Sequence, residues 1–223
     1  YLKGLWAACQ ATGRAEWKLM PLETDCIYDH SSHDIVVYAA GAGMLLGRDD
    51  ESKQFDKLPK DVELPVELVR GQSVQFCGVD VENDWRQEAI LGGKYVSPLP
   101  NNKVLVGATH EFKEVPLSEH EVYEEMKERS KLFASSFFDD VSDYTVTSGY
   151  RVQSRRGYLG RLPIAGMLDA RKWIFTGLSS RGLLHHGIYG NILAKAILDS
   201  DGKDDIDMMQ THPHMDWWKK KKI

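Results

Sequence analysis

The chain is 223 residues long, 42% hydrophobic and 27% charged, with a formal net charge of −5. That length holds one large domain or two small ones, and the acidic balance gives no general reason to expect nucleic acid, although local basic patches stay open. No apolar run reaches the roughly 18 residues of a membrane span, no signal peptide is legible, and three scattered cysteines without a C-x-x-C point away from zinc or dithiol chemistry and towards a reducing intracellular compartment, cytoplasm or organelle.

Tyr1–Gln10 places Leu2, Leu5, Trp6 and Cys9 on one helical face, and Gly13 ends that helix. Ala15–Leu22 and Cys26–Tyr28 read as short pairing strands, with Ser31 and Ser32 in a turn. His33–Ala40 is strongly apolar and reads as a central strand. The GAGMLLG that follows, Gly41–Gly47, fails as a G-x-G-x-x-G phosphate loop. Its third glycine falls one place late, with Leu46 in that position, and the polar residues beyond carry no apolar helical stripe. Asp49–Val62 reads as a charged surface segment leading into Leu64–Phe76.

Gln87–His110 reads as hairpins, with Asn101 and Asn102 turning between Tyr95–Leu99 and Val104–Ala108. Leu117–Phe138 reads as a helix: Ser118 caps it, Glu121 completes a capping box, and Val122, Met126, Leu132 and Phe133 form an apolar stripe. Asp139–Asp143 ends it, and Tyr144–Ser154 alternates as a strand. Near the end, THPHMDWWKKKKI reads as a solvated polar tail. The His212–His214 pair is not taken as a metal site there, and Trp217 and Trp218 sit beside the basic run Lys219–Lys222.

The stretch Lys172–Leu198 carries the chemistry. Lys172–Thr176 is β-branched and aromatic and reads as a buried strand; Gly177–Gly182 is a small-residue turn with one arginine. Leu183–Leu198 follows as a helix, with Leu184, Ile188, Ile192, Leu193, Ala196 and Ile197 at apolar spacing. A strand turning through glycines into a helix aims free N–H groups and a partial positive charge at whatever lies over the turn, which suits an anion. Plain topology without a ligand is the competing reading.

The wording of this stretch resembles the last strand and helix of the FAD-dependent oxidoreductases of the D-amino acid oxidase and glycine oxidase superfamily. Further matches follow the same order: the small-residue strand end Ala39–Gly43; Arg70, Gly71 and Gln72; the pair of strands through Gly92, Gly93, Tyr95, Pro98, Val106, Gly107, Ala108 and Thr109; the G-x-R of Gly149, Tyr150 and Arg151; and Leu162–Gly166. The resemblance implies FAD as cofactor, held by Ala40, Gly41, Ala42 and Gly43 and by Gly177, Ser179, Ser180, Arg181, Gly182, Leu183 and Leu184. It implies that Arg151 grips a substrate carboxylate, a guanidinium fork fixing its plane by two parallel bonds, while a structural pair with Asp143 is the alternative. Tyr95 either lines the substrate pocket or packs in the core, and Arg70 is either a family residue or one half of a surface ion pair.

The fold class implied is α+β or α/β: part of an FAD/NAD(P)-binding domain plus an antiparallel-sheet substrate domain with a covering helix. The division expected is residues 1–63 in the FAD-binding domain, 64–154 in the substrate domain, 155–200 returning to the FAD-binding domain, and 201–223 as tail. The family's amino-terminal βαβ unit, whose G-x-G-x-x-G holds the FAD pyrophosphate, has no counterpart in the sequence, and the chain opens on Tyr1 rather than Met, so a truncated or processed chain is expected.

The function implied is oxidation of a small-molecule amine or amino acid by hydride transfer to flavin, with Arg151 and Tyr95 at the substrate. Arg155, Arg156 and Arg161 stand where family members often carry T-x-D-G-x-P, a departure that puts a plain small amino acid in doubt. Two alternatives stand beside this. One is a protein like the oxidase half of the bacterial enzyme that modifies a wobble uridine in tRNA, for which these arginines would suit RNA. The other is a non-catalytic fragment that does not bind FAD. The oligomeric state is not legible.

Overall fold

The computed structural model describes residues 2–18, 34–44, 64–79, 88–113, 115–157, 160–169, 171–200, 215, 217 and 218. The chain divides into two compact units, Tyr1–Asp34 and Ile35–Ile223. In the first, helix α1 spans Leu2–Ala11 and buries none of its side chains. The apolar face expected there is exposed or half-buried, and Trp6 meets Trp17 edge-on at 5.3 Å. Ala15–Lys18 forms no strand. The remainder of the expected strands, the Ser31–Ser32 turn and the Asp49–Val62 segment lie outside the described residues.

The second unit holds β1 (Val36–Tyr38), β2 (Val66–Phe76), β3 (Ile90–Leu91), β4 (Tyr95–Leu99), β5 (Lys103–Gly107), α2 (Glu119–Asp140), β6 (Tyr144–Ser154), β7 (Ile164–Asp169), β8 (Lys172–Thr176) and α3 (Gly182–Ser200). Strands β3-β4-β5-β2-β6 form an antiparallel sheet, and β1-β8-β7 form a small mixed one. This is the α+β architecture expected from the sequence, with one helix over the larger sheet.

Alternation along β2 decides which face of the larger sheet is buried. Val74 and Phe76, with Val96, Val104 and Val106 from their neighbours, pack beneath Val122, Met126, Ala134, Phe137 and Phe138 of α2. Phe76 stacks on Phe137 at 6.0 Å and meets Phe138 edge-on at 4.9 Å. Ser118 accepts from the Glu121 amide and Glu121 returns the contact, so α2 starts at the capping box read from the sequence. Leu132 is the exception to the expected stripe. It is 92% exposed, because the buried line runs through Met126, Ser130, Ala134 and Phe137.

In the smaller sheet β1 pairs only with β8 among the described strands, in parallel, so the run expected to be central is an edge. Its Val37 is exposed. One face of β7 and β8 buries Ala165, Met167 and Trp173 against Leu193 and Ala196 of α3. The other buries Ile164 and Ile174 against Val66 and Val152, where β2 and β6 of the larger sheet pair beyond the end of β5. Leu184 and Ile188, counted in the expected apolar face of α3, are exposed.

The end of the chain corrects another expectation. Met215 is fully buried among the α3 contacts and Trp218 belongs to the core between the sheets. Trp217 and Trp218 donate their indole N–H groups to the carbonyls of Pro163 and Ala165, at 2.9 and 3.2 Å. These tryptophans are core anchors, not a solvated aromatic cluster. Two large aromatic surfaces cover more apolar area than a charged tail can leave wet.

Candidate functional site

The face of the larger sheet opposite α2 is built from polar and small residues. Ser73 lies opposite both Gly107 and Thr147, Tyr95 lies opposite Gly107, Gly71 opposite Gly149, and Val69 opposite Arg151. The two-residue period of a strand puts all of these on one side. Tyr95 Oη meets Ser73 Oγ at 3.0 Å. Both sit over Gly107, where a Cβ would strike the Ser73 hydroxyl and lie 2.7 Å from Tyr95 Oη.

Arg151 projects from the same face. Its Nη2 donates to His110 Nδ1, and its Nε is buried without a hydrogen-bond partner among the described residues. No carboxylate among the described residues pairs with it, and Asp143 lies beyond the far end of β6. Burial and then the charge of Arg161 pull the guanidinium below its ordinary pKa, while Tyr95 favours its charge. His110 is held below its ordinary value by burial first, then by Arg151, Arg161 and Lys94, with Glu67 opposing. A fixed, half-buried cation without a counter-ion is a receptor for an anion.

Arg70 is not part of this face. It is buried, donates to Tyr150 Oη at 2.9 and 2.6 Å, and lies 3.5 Å from Glu111. The surface ion pair weighed from sequence is therefore a buried polar cluster, strapping the segment after β5 to β2.

Strand β6 reaches the two small-residue turns. It packs against the 3₁₀ turn Gly41–Met44 and against the 3₁₀ turn Ser179–Arg181. Gln153 bridges to Leu178, its side chain meets Ser179 Oγ at 3.5 Å, and it donates to Glu67 at 2.9 Å. Gly177 leaves β8 with φ of 68°, and Ser179 adopts 58°. These left-handed conformations turn the chain sharply into α3, which begins at Gly182. A cavity of about 410 Å³ lies beside the turn, lined by Arg156, Gly160, Arg161, Leu162, Ser179, Ser180, Arg181 and His185.

The residues expected around a cofactor thus fall into two groups on one strand. Ala40, Gly41, Ala42 and Gly43 form the first turn and its approach. Gly177, Ser179, Ser180, Arg181 and Gly182 form the second, with Leu183 and Leu184 exposed in the first turn of α3. Arg151 and Tyr95 share the open face of the sheet. Sequence reasoning missed Ser73, Gln153 and Glu67, and it assigned no role to His110. Their signal was strand parity with Arg151, which needs the register to be visible. Arg161, grouped by sequence with free basic residues, is bound to Glu67 at 2.5 Å and to the Ser154 carbonyl at 2.6 Å.

Residues 6–196 match the family described as FAD dependent oxidoreductase (DAO). The chain belongs to this family. The resemblance read from the sequence is therefore borne out, and with it FAD as the family's cofactor. Among solved structures, the chain is similar to glycine oxidase from Geobacillus kaustophilus, with a TM-score of 0.54 and 20% identity over 78% of this chain and 44% of that one. It is similar also to iminodiacetate oxidase from Chelativorans sp. BNC1, with a TM-score of 0.55 and 18% identity over 79% of this chain and 45% of that one. The tRNA 5-methylaminomethyl-2-thiouridine biosynthesis bifunctional protein MnmC of Nitrosospira multiformis is 28% identical over 149 residues, 63% of this chain and 24% of that protein. The chain thus spans less than half the length of each of these proteins. No helix among the described residues is long and apolar enough to cross a membrane.

Proposed function

We propose that the chain supplies the substrate-facing sheet and part of the flavin seat of an enzyme that oxidises amines bearing a carboxylate. On this reading residues 64–154 bind the substrate and residues 1–63 and 155–200 serve the cofactor. The observation that carries the proposal is the pairing of two features on β6. Arg151 has no carboxylate partner among the described residues, and the same strand runs against both glycine turns. A carboxylate anchored on Arg151 is thereby held close to whatever the turns seat.

The residues around the second turn fit a flavin. The cavity is lined by Ser179, Ser180 and Arg181, and by Arg156 and His185. Arg156 and Arg181 have no ion-pair partner among the described residues. Cations at a helix start favour the negative charge that a flavin gains on reduction. Bound FAD supplies the hydride acceptor, and the protein supplies position and electrostatics. Arg151 orients the substrate by its carboxylate, Tyr95 and Ser73 bound the pocket, and Gly107 keeps the sheet surface low beneath them. Glycine oxidase and iminodiacetate oxidase are both named for amines with carboxylates, which supports the same substrate class.

The test is spectroscopic. The full-length protein should carry flavin absorbance that bleaches when glycine or iminodiacetate is added without oxygen. Flavin-free protein would favour the non-catalytic alternative, and flavin unmoved by any amino carboxylate would remove the substrate assignment. The tRNA-modifying alternative is less favoured, because Arg161 is already committed to Glu67. Tight, salt-sensitive tRNA binding would be its mark.

A further inference from the structure

We propose that His110 accepts the ammonium proton of the substrate once the substrate carboxylate has displaced it from Arg151. The proposal rests on the reading of Arg151 given above and adds a catalytic residue to it.

A guanidinium has donors and no acceptor. The hydrogen between Arg151 Nη2 and His110 Nδ1 therefore belongs to the arginine, and Nδ1 offers its lone pair. His110 is then neutral, with its own proton on Nε2, and its one basic site is covered by Arg151. A carboxylate is the stronger partner for a guanidinium, because the bond is charge-assisted and bidentate. Its arrival draws the Nη2 hydrogen away and uncovers Nδ1 beside the bound ligand. In an amino carboxylate the nitrogen is on the carbon next to the carboxyl carbon, so anchoring one presents the other.

The chemistry needs this proton to leave. A carbon losing hydride is stabilised by a nitrogen lone pair, and an ammonium has none. In the proposed step the substrate N–H bond breaks, its electron pair stays on nitrogen, and a bond forms between the proton and Nδ1. No electrons pass between groups, and the imidazolium returns a proton to water through its exposed ring. The charges facing His110 are Arg151 on β6, Arg161 ahead of β7, Lys94 ahead of β4 and Glu67 on β2. Phe112 packs edge-on against the ring at 4.9 Å. Burial first, and then three cations against one anion, hold His110 below its ordinary value. A carboxylate on Arg151 cancels the nearest cation and raises the basicity of Nδ1 when it is needed.

Nitrogen NMR of histidine-labelled protein tests this without turnover, with His110 assigned by H110Q. Acetate should shift the Nδ1 resonance of His110 and raise its pKa, and Arg151→Met should abolish both effects. Acetate that binds in an Arg151-dependent way yet leaves His110 unchanged would overturn the inference and keep the reading of Arg151. Acetate that does not bind, or binds equally well to Arg151→Met, would remove that reading and the inference with it. In the full-length flavoprotein, H110Q should slow flavin reduction by glycine about 10²-fold near neutral pH. It should approach wild type near pH ~10, where the free amine is abundant. An equal loss at both pH values would mark a structural role and refute the proton transfer.

Discussion

Tyr95 and Ser73 share a hydroxyl–hydroxyl contact of 3.0 Å above Gly107, and that residue has room for neither a methyl group nor anything larger. Gly107→Ala should therefore force both side chains off their positions. A loss of about 1–3 kcal/mol in stability is expected from such overpacking, read from urea unfolding. Ser73→Gly should restore part of it by removing the hydroxyl that the new methyl strikes. A neutral Gly107→Ala would mean that Tyr95 is free to swing away, and its place in the pocket would be lost.

Arg151→Ala should leave folding nearly intact, because no ion pair among the described residues breaks. It should cost about 1.5–3 kcal/mol in transition-state binding of a carboxylate-bearing amine, roughly 10- to 160-fold in kcat/KM. An amine without a carboxylate should be affected far less. Arg151→Lys should recover little, since an ammonium lacks the fork that fixes a carboxylate plane. Equal losses with both kinds of amine would point to a damaged sheet.

Much of this layout is legible from residues alone, and the reasons are local. Ser118 and Glu121 specify the start of α2 by two reciprocal bonds within one turn. Asn101 and Asn102 specify a hairpin because they tolerate the positive φ of 64° and 53° found there. Strand β6 is found at Tyr144–Ser154 as read, from alternation alone. The polar face was only partly legible. Arg151 and Tyr95 stood out as residue types in a motif, whereas Ser73 and His110 acquire meaning only once β2, β4, β5 and β6 are in register. The burial of Trp218 was hidden for the same reason: its indole bonds to Ala165, far away in sequence. No local pattern reports such a contact.

The Arg70–Glu111 pair carries a stability prediction. Both side chains are buried, at 8% and 9% exposure, and Tyr150 accepts two further bonds from the guanidinium. Glu111→Ala removes one carboxylate from that buried guanidinium and should cost about 1–3 kcal/mol. Tyr150→Phe should cost less, since the ion pair remains. Chemical denaturation of each variant, and of the double variant, would measure their coupling. Strict additivity of the two losses would show that the cluster does not act as a unit.

The two depressed histidines predict the direction of a pH effect. Burial is the first cause for both His110 and His185, followed by Arg151 and Arg181 respectively. Each folded pKa therefore lies below the ordinary histidine value of about 6.5. Above that value both the folded and unfolded chains hold the rings neutral, and these residues add no pH dependence. Below it the unfolded chain takes up protons first, so stability falls as pH drops towards the folded values and levels off beneath them. Carboxylates contribute their own slope at lower pH, so the comparison must be between proteins. Urea midpoints at pH about 7.5 and about 5.5 should fall less for the H110Q/H185Q double variant than for wild type. An equal fall in both would mean that neither ring resists protonation in the folded chain, and the depression of the two histidines would have to be given up.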